Sequence, residues 1–179
     1  MTSMKVFGVA LLAVWFAAIL PAQQDEGIMP RWEVASIAQD LGVQVDQVEQ
    51  ILGGVHPEEW AQAGAAYAGQ RETLLTELGY LRNSAAAMAR RPESLPVVVD
   101  TFLWIDRTNS MLISITDGVR RYQNAAVADL LESSRGQYSG AAEKLKEYMR
   151  QLAIAVDTQM AIAHEEAQRC RTELLTQPR

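Results

Sequence analysis

The chain has 179 residues, 49% of them hydrophobic, and its 16 basic and 22 acidic residues give a formal charge of −6. An acidic chain with no basic run excludes the clustered phosphate neutralisation that nucleic-acid binding needs, and it disfavours docking on anionic lipid. The single cysteine, Cys170, excludes an internal disulfide. A domain of this size builds enough core without one.

Residues 1–22 read as a signal peptide. Lys5 is the only charge there, residues 6–20 are apolar, Pro21 breaks the run and Ala22 offers a small residue for cleavage. The run is short for a bilayer span, which takes roughly 20 apolar residues. The expectation is export, to the periplasm or beyond, with no stable membrane insertion after processing. Residues 23–29 are polar, contain Gly27 and show no period, as in a disordered leader. Residues 30–177 form the domain.

Four helices are predicted. The first covers 30–52, with Pro30 in its first turn and Gly53-Gly54 at its end. Val34, Ile37, Leu41, Val45, Val48 and Leu52 share one face. The second starts at His56-Pro57-Glu58-Glu59 and closes at Arg90-Arg91-Pro92. Its seam is Tyr67, Arg71, Leu74, Leu78, Leu81, Ala85 and Met88, with alternating steps of four and three.

The third helix starts after Ser94, a suitable N-cap, and runs to Tyr122. Leu95, Val98, Phe102, Ile105, Leu112, Ile115 and Val119 mark its buried face. Val99, Leu103, Met111 and Ile113 widen the stripe, which predicts the most central place for this helix. Asn124 caps the last helical stretch. Ser133-Ser134-Arg135-Gly136 and Gly140 predict a break or bend, with the final helix covering 138–176. Its stripe is Leu145, Met149, Leu152, Val156, Met160, Ala163, Ala167, Cys170 and Leu174. A spacing near 3.6 residues matches a straight helix. Short connections force antiparallel neighbours, so the expected fold is all-α, an up-down four-helix bundle with a long C-terminal helix.

No motif carries chemistry. His164-Glu165-Glu166 opens like a zinc-protease helix, but Gln168 stands where the second histidine belongs. His164, Glu165 and Cys170 do not share a face, so they make no zinc site. Glu-x-x-His pairs and Cys-x-x-Cys-His are missing, as are nucleophile elbows and phosphate loops. Haem held between His164 and Met29, Met88 or Met111 finds no spacing that selects a pair.

Arg71 and Asp106 both fall on or near apolar faces. A buried charge is costly unless paired, so the expectation is a register-fixing ion pair between them, or Arg71 reaching water along its stem. Trp32, Trp60 and Trp104 read as core or interface anchors. Arg90-Arg91, Arg120-Arg121 and Arg169/Arg171 sit where cations complement helix ends. Cys170 lies on the apolar stripe and is expected buried and inert.

These features lead to a non-catalytic exported helical protein that binds or scaffolds a protein partner, with no cofactor, no metal and self-association as one form of partnership. The alternative is a carrier with a small-ligand or cofactor site inside the bundle.

Overall fold

The computed structural model describes residues 28–176, so the expected signal peptide and most of the leader lie outside the described residues. The described chain is all-helical: α1 (Arg31–Gly53), α2 (Gly64–Arg90), α3 (Leu95–Tyr122) and α4 (Ala125–Thr176). Helix α1 packs on α2 and α4, and α3 packs on the same two. Helix α3 makes the most extensive contacts with the other three α-helices, as the sequence suggested.

Helix α1 follows its sequence closely. The Pro30 carbonyl accepts the Glu33 and Val34 amides at 2.9 and 3.2 Å, and the Gly54 amide closes the far end on the Ile51 carbonyl at 3.0 Å. Every residue of its expected face is buried, from Val34 to Leu52.

Helix α2 begins later than expected. Two single 3-10 turns, Pro57–Glu59 and Ala61–Ala63, replace its first turns. The chain folds back so tightly that a Cβ at Gly64 would lie 2.6 Å from the Pro57 carbonyl oxygen. Ala61 absorbs the reversal at φ 30°, a region that costs a side-chain-bearing residue energy. The detour drives Trp60 into the core, edge-on to Tyr67 and stacked on Tyr122, with ring centroids 5.2 and 5.8 Å away. Gly118 leaves the room: a Cβ there would sit 2.8 Å from the Trp60 ring.

Helix α3 is narrower in its apolar stripe than the sequence suggested. Leu103 and Ile113 are exposed, whereas Thr101, Thr108 and Thr116 are buried. The Thr101 and Thr108 hydroxyls donate to carbonyls of their own helix, Val97 and Trp104, both at 2.8 Å, which removes the cost of burying them. Ser94 makes no side-chain cap; only its carbonyl takes part, accepting the Val98 amide at 3.1 Å.

Asn124 does cap α4, its Oδ1 accepting the Ala126 amide at 2.8 Å. No bend follows. The helix is continuous for 52 residues, roughly 78 Å, through Gly136 and Gly140. Neither glycine has a positive φ, and Leu131, Ser134, Tyr138 and Leu145 pack the intervening turns into the core. Tertiary burial outweighs the weak helix propensity of two glycines.

Polar pairs across the helices run in opposite numerical order. Arg71 pairs with the Leu52 carbonyl and Arg82 with Asp46 and Glu49; Gln70 bonds Ser114 and Ser84 bonds Thr101. Two further ties mark one end of the molecule. The Met29 amide donates to Gln151 Oε1 at 3.2 Å, and the Tyr148 hydroxyl donates to the Pro92 carbonyl at 2.8 Å. At the other end Gln123 clamps the α1–α2 connection, donating to the Gly54 carbonyl at 2.7 Å and accepting the His56 amide at 3.1 Å.

Candidate functional site: a projecting helix

Helix α4 outruns the bundle. Its buried positions end at Leu152; Ala155 and Val156 are half-covered, and every residue from Asp157 to Thr176 is exposed. The free segment extends roughly 30 Å past the last packed turn. Its apolar stripe keeps the phase of the packed half. Leu145, Met149, Leu152 and Val156 lead on to Met160, Ala163, Ala167, Cys170 and Leu174 with a mean step of about 3.6 residues. The face that the bundle buries therefore continues beyond it, uncovered. Met160 is 68% exposed and Leu174 70%.

Cys170 is exposed on this segment, not buried as its phase suggested. Periodicity identified the correct face, but no other described element reaches that far. His164, Glu165 and Glu166 stand on the same free segment. His164 is about 20 Å along the axis from the Met29–Gln151 tie, away from Met88 and Met111 in the bundle. His56 is exposed at the opposite end, its Nδ1 3.2 Å from Glu58 Oε1. Among the described residues no group of three or more His, Cys, Asp or Glu converges as a metal site would require.

The expected Arg71–Asp106 pair does not form. Arg71 Nε donates to the Leu52 carbonyl at 2.9 Å, holding the last turn of α1, and Asp106 is exposed. The buried acid is Glu77, one position before the seam residue Leu78. Its Oε1 accepts from Arg107 Nε at 2.5 Å, while Oε2 is buried without a partner. Arg107 also lies 5.7 Å from the centroid of Trp104, which meets Tyr80 at 5.0 Å. These side chains line a shallow surface recess of about 430 Å³. Sequence reading missed Glu77 because an acid beside a seam normally points to water. The signal was Arg107, thirty residues on, at the matching level of α3.

Of the tryptophans, Trp60 is core, Trp104 is half-buried and Trp32 is exposed. No described helix is long and apolar enough to cross a membrane. Comparison with family models, curated proteins and solved structures finds no match.

Proposed function

We propose that the protein is a non-catalytic, exported helical module that binds or scaffolds a protein partner through the free half of α4. The observation that carries this reading is the uncovered stripe from Met160 to Leu174. A rigid helix that extends the buried face of a bundle past its end offers knobs at regular spacing and no cover for them. Such a face is the kind that another helix packs against. The numerical order of the cross-helix pairs supports an up-down-up-down arrangement, with the α1 start and the free half of α4 at one end. The charge, apolar run and small residue of the first 22 residues support export. An intact mass that retains those residues in the membrane fraction would argue for an anchor instead.

The carrier reading has less behind it, because Tyr138, Tyr148 and leucines fill the bundle interior. A photo-crosslinking side chain at Met160 or Ala167 tests the binding reading, with Glu165 on the opposite face as control. Adducts with polypeptide from the stripe positions alone are expected. Equal labelling from Glu165, or none from any position, would refute it.

A further inference from the structure

The free half of α4 is self-complementary, and we infer that its partner is a second copy of this chain, lying antiparallel along it. This inference rests on the binding reading above and names the occupant.

Residues 153–176 read as heptads. Met160, Ala167 and Leu174 repeat every seven residues, as do Val156, Ala163 and Cys170. On one flank of this seam lie Asp157, His164 and Arg171. On the other lie Gln159, Glu166 and Glu173.

The bundle decides the orientation. The seam lies on the side that α4 turns toward α1 and α3. A second helix on that seam therefore continues the line of the bundle. Were it parallel, its own bundle would have to occupy the volume already filled by the first. Antiparallel, the two bundles sit at opposite ends of the pair and do not meet.

Length then sets the register. If each free segment is used in full, the tip near Thr176 abuts the base of the other bundle, beside Ile154 and Ile28, which flank one another there. That register centres the pair near Glu165. It sets Val156 against Leu174 of the second copy, Met160 against Cys170, and Ala163 against Ala167. Large residues meet at the outer layers, and alanines at the middle let the helices approach closely.

Charge agrees with this register. Asp157 faces Arg171 of the second copy, and by the two-fold symmetry the contact occurs twice. His164 meets its counterpart on the same flank. Glu166 meets its own counterpart on the other flank, where both carboxylates reach water. Shifting by one heptad either drives the tip into the bundle or, by the same symmetry, sets Glu166 against Glu173 twice and takes Asp157 away from Arg171. A specific interface needs about 1,000 Å² in total, and two helices meeting along about three heptads with both tips on the bundle bases reach that size.

The test joins mass and cross-linking. Sedimentation equilibrium of the purified protein should show a dimer. Asp157→Arg should weaken it roughly tenfold, and Asp157→Arg with Arg171→Asp should restore it. Ala163→Glu with Ala167→Glu should give a monomer of unchanged helix content, since neither side chain touches the bundle. Under mild oxidation Met160→Cys should yield a covalent dimer that Cys170→Ser abolishes, while the unmodified protein yields none.

A monomer at every loading overturns the inference, and so does a Cys170–Cys170 dimer of the unmodified protein, since the proposed register holds the two thiols about 15 Å apart along the axis. A monomer that still gives stripe-specific adducts with a different polypeptide overturns this inference alone. A monomer without such adducts ends the binding reading as well.

Discussion

Tyr148 and Pro92 are joined by a buried hydrogen bond of 2.8 Å, the hydroxyl of α4 donating to the carbonyl in the turn between α2 and α3. Tyr138, three turns earlier on the same helix and also buried, has no partner for its hydroxyl. The two tyrosines should respond oppositely to loss of the oxygen. Tyr148→Phe strands a buried carbonyl and should cost about 1–2 kcal/mol. Tyr138→Phe removes an unpaired hydroxyl and should be neutral or stabilising by up to about 1 kcal/mol. Urea midpoints of the two variants decide this. Equal losses would mean that Tyr138 has a partner after all.

Alkaline pH should unfold the protein through the same residues. Burial pushes the Tyr138 hydroxyl far above its ordinary range, and it raises Tyr148 as well. The unfolded chain loses tyrosyl protons near pH 10 while the folded chain keeps them. Above that pH the unfolded state binds fewer protons, so stability falls as pH rises; below it this contribution is whole. Melting temperature should therefore decline from about pH 10 upward, and Tyr138→Phe should flatten the decline. A Tyr138→Phe variant whose melting temperature declines as steeply with pH as that of the parent would contradict this.

Arg107→Ala should be more harmful than an exposed arginine normally is. Its removal leaves the Glu77 carboxylate, 4% exposed, without the cation that pairs with it among the described residues. The expected cost is about 1–3 kcal/mol, since the arginine itself is mostly solvated. Glu77→Leu in the same chain should recover most of that, because an apolar side chain suits the site better than an orphaned charge. Denaturation of the single and double variants measures the recovery. A double variant as weak as the single would make packing of Arg107 on Trp104 the cause.

Gly136→Ala and Gly140→Ala should each stabilise by about 0.5–1 kcal/mol. Both lie inside a continuous helix, and a Cβ at either would meet nothing within 4 Å. Thermal melts check this; a loss at either position would show that α4 breaks there.

Cys170 should react quickly with a thiol reagent in the native monomer, since it is exposed on the free segment. In the self-associated form the reaction should slow with protein concentration, because Met160 of the second copy covers it. Cys170→Ser should leave thermal stability of the bundle unchanged within about 0.5 kcal/mol. Slow labelling at high dilution would mean that something in the chain covers the thiol.

How far the sequence could be read depends on what periodicity measures. The faces of α1 and, from Leu74 onward, of α2 were legible down to single residues because their apolar seam positions recur in phase and are buried against a neighbour. The same rule found the stripe of α4 but not its exposure: phase assigns a residue to a face and is silent on whether another helix reaches it. Glycines at 136 and 140 announced a bend through local propensity, which the packing of Leu131, Tyr138 and Leu145 overrules. The charged pair was misassigned by six positions on α2 and by one on α3, with the acid and the base exchanged between the helices. Arg71 sits on the seam but spends its guanidinium on a carbonyl, and the ion pair between α2 and α3 is Glu77–Arg107. On α3 the one-residue step from Asp106 to Arg107 rotates the side chain by about 100°, enough to turn it from solvent toward Glu77.

The continuity of α4 bears on how its free half comes to be helical at all. A solitary segment of that length must first close a turn, an unfavourable event with an equilibrium constant of roughly 10⁻³. Here the packed turns at Leu145, Tyr148 and Leu152 supply the nucleus, and each later residue has only to propagate it. The free half should thus melt from its tip inward, and its amides should exchange in a gradient that deepens toward Leu152. A proline at Ala155 would cut the segment from its nucleus and unwind all of it at once, leaving the bundle intact.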